Sequence, residues 1–123
     1  MLKHAFGPLG QVSGLTLGGG GIGQGWGPTS REEAIATIHA AVDCGIDLLD
    51  TAPLYRNCES IVAETFNGHL PTGLRITTKC GLGSPEPAQV ERALTQSLEG
   101  SLAAMKVDHA DIYFLHSNIC ADD

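Results

Sequence analysis

The chain has 123 residues, a formal net charge of -7 and a pI near 5.0, so it lacks the basic footprint that binding nucleic acid or an acidic membrane surface requires. Hydrophobic residues make up 42% and mean hydropathy is +0.04, which suits a packed domain and argues against disorder. No apolar run approaches the roughly 20 residues of a membrane-spanning helix, and Met1-Leu2-Lys3-His4 leads into Gly and Pro rather than a signal-peptide core. Cys44, Cys58, Cys80 and Cys120 form no CxxC pair, so neither a zinc site nor a disulfide framework is expected, and no metal is assigned. Free thiols and a cytoplasmic setting fit this pattern.

At the start of the chain, Phe6 to Val12 reads as a small hairpin about Gly7-Pro8, and Gln11 to Leu17 as a strand leading into the glycine run Gly18 to Gly23. Ser30 and Glu33 form a capping box, after which Ala34, Ile35, Ile38, Ala41 and Val42 recur at helical spacing until Gly45. Ile46 to Leu49 is too short for another helix after that glycine and reads as a buried strand running into Asp50-Thr51-Ala52-Pro53. A second helix spans Glu59 to Phe66 and stops at Gly68. Leu74 to Lys79, rich in Ile and Thr between two glycines, is a strand. Val90, Leu94, Leu98, Leu102 and Met105 stripe a third helix, and Asp111 to His116 closes the series with a short apolar strand. Four strands alternating with three helices, in α/β order, predict a parallel sheet.

Ligands of such sheets sit at the carboxyl ends of the strands. Asp50 ends the second strand with Tyr55 close behind, Lys79 ends the third and His116 the fourth, so four different ionisable groups are expected on one rim. A tyrosine is a weak acid, with an unperturbed pKa of about 10, and a neighbouring ammonium makes it a better proton donor. Lys79 supplies that charge, Asp50 its counter-ion, and His116 orients a carbonyl oxygen or relays a proton. Reduction of a carbonyl at such a site needs a bound hydride donor such as a nicotinamide. The glycine run has neither the Gly-Lys-Ser/Thr ending of a phosphate loop nor the acidic residue of a dinucleotide fingerprint, and the other histidines carry no shared spacing.

The run Gly45-Ile46-Asp47-Leu48-Leu49-Asp50-Thr51-Ala52-Pro53-Leu54-Tyr55, followed by Thr78-Lys79, Ser97 to Leu102 and Asp108 to His116, resembles the aldo-keto reductase family. That resemblance extends from about Val12 to His116 and implies a (β/α)8 TIM barrel. It also implies NADP(H)-dependent interconversion of carbonyls and alcohols, with NAD(H) as an alternative cofactor, on small-molecule aldehydes, ketones or sugars. It assigns Asp50, Tyr55, Lys79 and His116 as the catalytic tetrad, Tyr55 being the general acid, and places Gly20, Gly21 and Asp50 at the cofactor. Three features depart from the family: Arg56 stands where a glycine usually follows the tyrosine, Gly18 to Gly23 is unusually rich in glycine, and Ser117-Asn118 follows the histidine. A barrel of this kind takes ~250 residues, so residues 1–123 read as its N-terminal half, truncated after the fourth strand. The competing expectation is a non-catalytic half-barrel that self-associates, or pairs with another chain, through its open sheet edges.

Overall fold

The computed structural model describes residues 1–116. Ser117, Asn118 and Cys120, each given a reading above, lie outside the described residues. Strands β1 (Lys3–Ala5) and β2 (Gln11–Ser13) pair antiparallel about a turn at Gly7–Leu9. Strands β3 (Leu17–Gly18), β4 (Leu48–Asp50), β5 (Arg75–Cys80) and β6 (Ile112–Leu115) form a parallel sheet in chain order. Helices α1 (Gly19–Ile22), α2 (Arg31–Asp43), α3 (Cys58–Phe66) and α4 (Val90–Met105) join them. Among the described residues, no helix is long and apolar enough to cross a membrane.

The local signals explain most of these elements. Ser30 Oγ accepts the Glu33 amide at 3.1 Å while Glu33 Oε2 accepts the Ser30 amide at 2.8 Å, so α2 begins on a complete capping box. Helix α3 ends on Asn67 in the left-handed region, φ 49°, one residue before the glycine expected to stop it. The predicted strand Gln11 to Leu17 is two strands: Gln11–Ser13 pairs in the hairpin and Leu17–Gly18 enters the parallel sheet. Its polar middle, Ser13-Gly14-Leu15-Thr16, turns the chain, and Ser13 Oγ donates to the Leu15 carbonyl at 2.6 Å. Part of the glycine run coils into α1 rather than remaining a loop.

Helices α2, α3 and α4 contribute Ala34, Ile38, Ile61, Val62 and Met105 to one core with Leu49 and Ile76 of the sheet. In α4 the fully buried line is Ser101 and Met105, whereas Leu94, Leu98 and Leu102 of the expected stripe are half-buried. Leu94 and Leu98 face Tyr113 and Leu115 across an apolar groove of about 370 Å3.

The hairpin is latched to the amino ends of the parallel strands. Asp47, just ahead of β4, accepts the Lys3 ammonium and the Ser13 amide, both at 2.7 Å, and has Arg75 within 3.5 Å. Arg75 also donates to the Leu9 carbonyl at 3.0 Å. Partial burial pushes the Asp47 carboxyl up, but the bonds from Lys3 and Ser13 outweigh it and hold the group below its ordinary value.

Candidate active site

Strand alternation decides which groups meet at the opposite, carboxyl end of the sheet. In β5, Ile76 belongs to the core and Thr78 bonds to α3, so Thr77 and Lys79 take the other face. Thr77 is the register partner of Asp50, which brings the three side chains together. Asp50 Oδ1 accepts both the Lys79 ammonium and the Thr77 hydroxyl at 2.7 Å, and Lys79 Nζ donates further to the Thr51 carbonyl at 3.0 Å. The Lys79 side chain is only 12% exposed, so this ion pair is shielded from bulk water far more than a surface pair.

Tyr55 lies in a single helical turn, Pro53–Tyr55, immediately after β4. The Lys79 ammonium sits 4.5 Å from its ring centroid, over the ring face. His116 meets the same ring edge-on at 5.5 Å between centroids. Strand β5 runs one residue past Lys79, and β6 stops at Leu115. The His116 amide nonetheless bonds the Cys80 carbonyl at 2.7 Å, which continues the ladder and fixes the imidazole at the rim. Its Nδ1 is buried and has no partner among the described residues. The four groups expected on one rim are therefore in one cluster.

The glycines divide differently from expectation. A Cβ at Gly19 would stand 2.5 Å from the Asp50 carbonyl and 3.3 Å from Tyr55 Cδ2, and one at Gly23 would lie 1.6 Å from the Tyr55 carbonyl. Gly19 and Gly23 thus make room for the tyrosine loop. Gly20 is buried beneath the Trp26 ring, with its carbonyl taken by the Gly25 amide, and Gly21 is half-buried in α1. Sequence reasoning passed over Gly19, Gly23 and Thr77. The two-residue period of β5 could have found Thr77, while nothing in the glycine run singles out the other two.

Behind the rim, Glu59 is buried at 6% exposure and accepts the Thr78 hydroxyl at 2.7 Å, with the Ser101 hydroxyl 3.2 Å from Thr78. This network ties α3 and α4 to β5. Burial, followed by the charges of Glu59 and Asp50, pushes the neighbouring Cys58 thiol up to about 12, with Lys79 pulling the other way. A protonated, buried thiol next to the cluster is inert. Among the described residues, no group of three or more His, Cys, Asp or Glu side chains is placed to hold a metal ion.

Chemically, the cluster offers a phenol as proton donor, a paired ammonium beside it and an imidazole with an unused nitrogen. That set suits protonation of an oxygen that gains negative charge during reaction.

Comparison with known proteins points the same way. The family model described as Aldo/keto reductase family matches residues 14–123. An aldo-keto reductase of Bacillus subtilis, YhdN, is 33% identical over 101 residues, covering 74% of this chain and 30% of its own length. The NADH-specific methylglyoxal reductase of Escherichia coli is 34% identical over 124 residues, covering 85% of this chain and 38% of its own. A crystal structure of an aldo-keto reductase from Pseudomonas aeruginosa superposes with a TM-score of 0.76 at 27% identity, over 94% of this chain and 47% of that one. The chain spans about a third of the length of the curated relatives it matches.

Proposed function

Because the chain belongs to the aldo/keto reductase family, we propose that its rim cluster catalyses NAD(P)H-dependent interconversion of carbonyls and alcohols, with Tyr55 as the general acid and base. The observation that carries this reading is the convergence of Asp50, Tyr55, Lys79 and His116 from three successive strand ends. In the reducing direction the Tyr55 hydroxyl gives its proton to the carbonyl oxygen, and the Lys79 ammonium balances the charge left on the phenol. Asp50 keeps Lys79 oriented toward the ring, and Thr77 fixes the carboxylate from below. His116, edge-on to the Tyr55 ring, holds the substrate oxygen or the cofactor's amide.

A nicotinamide cofactor fits these residues, since the buried Nδ1 needs a polar partner and Asp50 takes both its bonds on a single oxygen. When bound, it supplies the hydride that no side chain here can provide. Asp50 and the backbone at Gly20 and Gly21 are the proposed contacts on this chain. NADP(H) is the proposed cofactor, and NAD(H) is the alternative raised by the name of the E. coli relative. In this reading residues 1–123 are one part of a (β/α)8 barrel, the substrates are small aldehydes, ketones or their alcohols, and the protein works in the cytoplasm. Cys44, Cys58 and Cys80 are free thiols, which a reducing compartment preserves.

Steady-state reduction of benzaldehyde and of methylglyoxal, with NADPH and with NADH, tests the proposal in the protein that carries this sequence. Tyr55→Phe is expected to lower kcat by ~10²–10⁴ while cofactor binding, read by quenching of reduced-nicotinamide fluorescence, persists. A Tyr55→Phe protein that turns over at the original rate would overturn the assignment.

A further inference from the structure

Among the described residues, Glu59 is the one charged side chain that is fully buried, and no lysine, arginine or histidine pairs with it. A carboxylate in that setting is costly unless hydrogen-bond donors compensate it. Here the compensation comes from the Thr78 hydroxyl, which donates to Oε1 at 2.7 Å and lies 3.2 Å from the Ser101 hydroxyl. Thr78 and Ser101 are buried as well, so the bond is shielded from competing water. A leucine would fill the same space without the cost of the charge. What it would not supply is a directed bond from α3 to β5.

The bond joins two residues that stand close to Tyr55 and Lys79 in the chain. Glu59 lies in the first turn of α3, four residues after Tyr55, and Thr78 immediately precedes Lys79 on β5. Because successive side chains of a strand take opposite faces, Thr78 is held from the helix side while Lys79 projects to the rim. The same turn of α3 also touches the tyrosine. A Cβ at Gly19 would meet Cys58 Sγ at 2.5 Å and Tyr55 Cδ2 at 3.3 Å, so the thiol and the ring rest against one glycine. The segment that carries the phenol is thus fastened, through the back of the sheet, to the strand that carries the ammonium. We infer that Glu59 is a positioning residue: by holding Thr78 it sets the approach of the Lys79 ammonium to the Tyr55 ring, 4.5 Å from its centroid. The consequence for turnover rests on the reading of Tyr55 as the proton donor. The geometric role does not.

Glu59→Leu, Glu59→Gln and Thr78→Val, in the protein that carries this sequence, separate the bond from the charge. Leucine and glutamine both remove the charge, but only glutamine keeps an acceptor for Thr78, and valine removes the donor while keeping its shape. Two charge-matched pairs result: Glu59→Leu against Glu59→Gln, and Thr78→Val against the original. The first readout is the Tyr55 phenol itself, titrated by ultraviolet absorbance as the difference between each protein and its Tyr55→Phe counterpart. That ring is faced by Lys79 from β5, His116 from beyond β6 and Cys58 from α3, with Asp50 of β4 behind the lysine, while Arg56 on its own loop turns to the Gln24 carbonyl. All of these groups are kept in every variant. An ammonium that draws back favours the phenolate less, so the phenol should titrate about one pH unit higher in the first member of each pair. In the same comparisons kcat for benzaldehyde is expected to fall ~10–100-fold, as for a small misplacement at the reacting atoms, with KM and nicotinamide binding held within about twofold. A phenol that titrates alike within either pair would overturn the positioning role, whatever happens to kcat. Where Glu59→Leu does not fold, the Thr78→Val pair decides alone. A titration shift joined to a higher KM and an unchanged kcat would overturn the link to proton donation. An original protein that reduces neither benzaldehyde nor methylglyoxal, yet shows the titration shifts, would sink the proposed activity and leave the positioning role standing.

Discussion

Asp47 precedes and Asp50 ends the same short strand, β4, and each meets a lysine at 2.7 Å, yet their surroundings differ in kind. At the amino end, Asp47 divides its two oxygens between Lys3 and the Ser13 amide and has Arg75 alongside, so every group is occupied by another part of the same chain. At the carboxyl end, Asp50 concentrates Thr77 and Lys79 on one oxygen. The lysine there lies against a tyrosine ring, and that ring meets a histidine whose buried Nδ1 has no partner among the described residues. An ion pair alone therefore does not mark a site. The distinguishing feature is polar capacity that the described residues gather and leave unspent, because an unsatisfied buried group is costly unless a ligand completes it.

The sharpest way to break this comparison is to remove the charge at each end. Lys79→Met is expected to lower kcat by ~10² or more, as for loss of a preorganised charge next to the reacting atoms, while Asp47→Ala leaves kcat within about twofold. Equal losses would erase the distinction between site and latch. The thiols give the next largest contrast. At pH 8 the Cys58 thiolate, from a group pushed up to about 12, is scarcer than that of an ordinary cysteine by ~10³. Exposed Cys44, at the end of α2, should take up iodoacetamide while Cys58 does not. Modification of Cys58 in the folded protein at the rate of Cys44 would mean that the rim is open to solvent behind the tyrosine. A smaller effect is expected in stability. Asp47→Ala should cost about 1–3 kcal/mol by leaving the Ser13 amide without its acceptor, read as a lower urea midpoint and faster exchange across residues 3–13.

How much of this could be read from the chain depended on how local the cause was. The capping box of Ser30 and Glu33 and the strand-ending position of Asp50 follow from spacing within a few residues, and the structure reproduces them, while Lys79 falls one residue short of the end of β5. His116, one residue past β6, was legible for the same reason. The division of Gln11 to Leu17 between two sheets was not, because it depends on Asp47, more than thirty residues away, capturing the Ser13 amide. Ser101 shows the same limit. Its buried place in α4 exists because Thr78, itself bonded to Glu59, meets it there, and a hydrophobic stripe cannot anticipate a polar partner on another element. Likewise, Gly19 and Gly23 are set apart from the other glycines only by the approach of the tyrosine loop.

The pH dependence of the latch offers the finest discrimination between the two ends. Because the folded structure lowers the Asp47 carboxyl, Asp47 contributes stability that is fully present above its unfolded value of about 3.9. That contribution fades as pH falls through the lower folded value, where both states carry the proton. The difference in unfolding free energy between the original protein and Asp47→Asn should accordingly be constant from neutral pH down to about 4 and shrink below it. Exchange across residues 3–13 should quicken in the same window. A difference that instead shrank between pH 5 and 7 would mean that Asp47 is not held by its bonds to Lys3 and Ser13, and the account of the amino end as a closed, fully occupied cluster would fail.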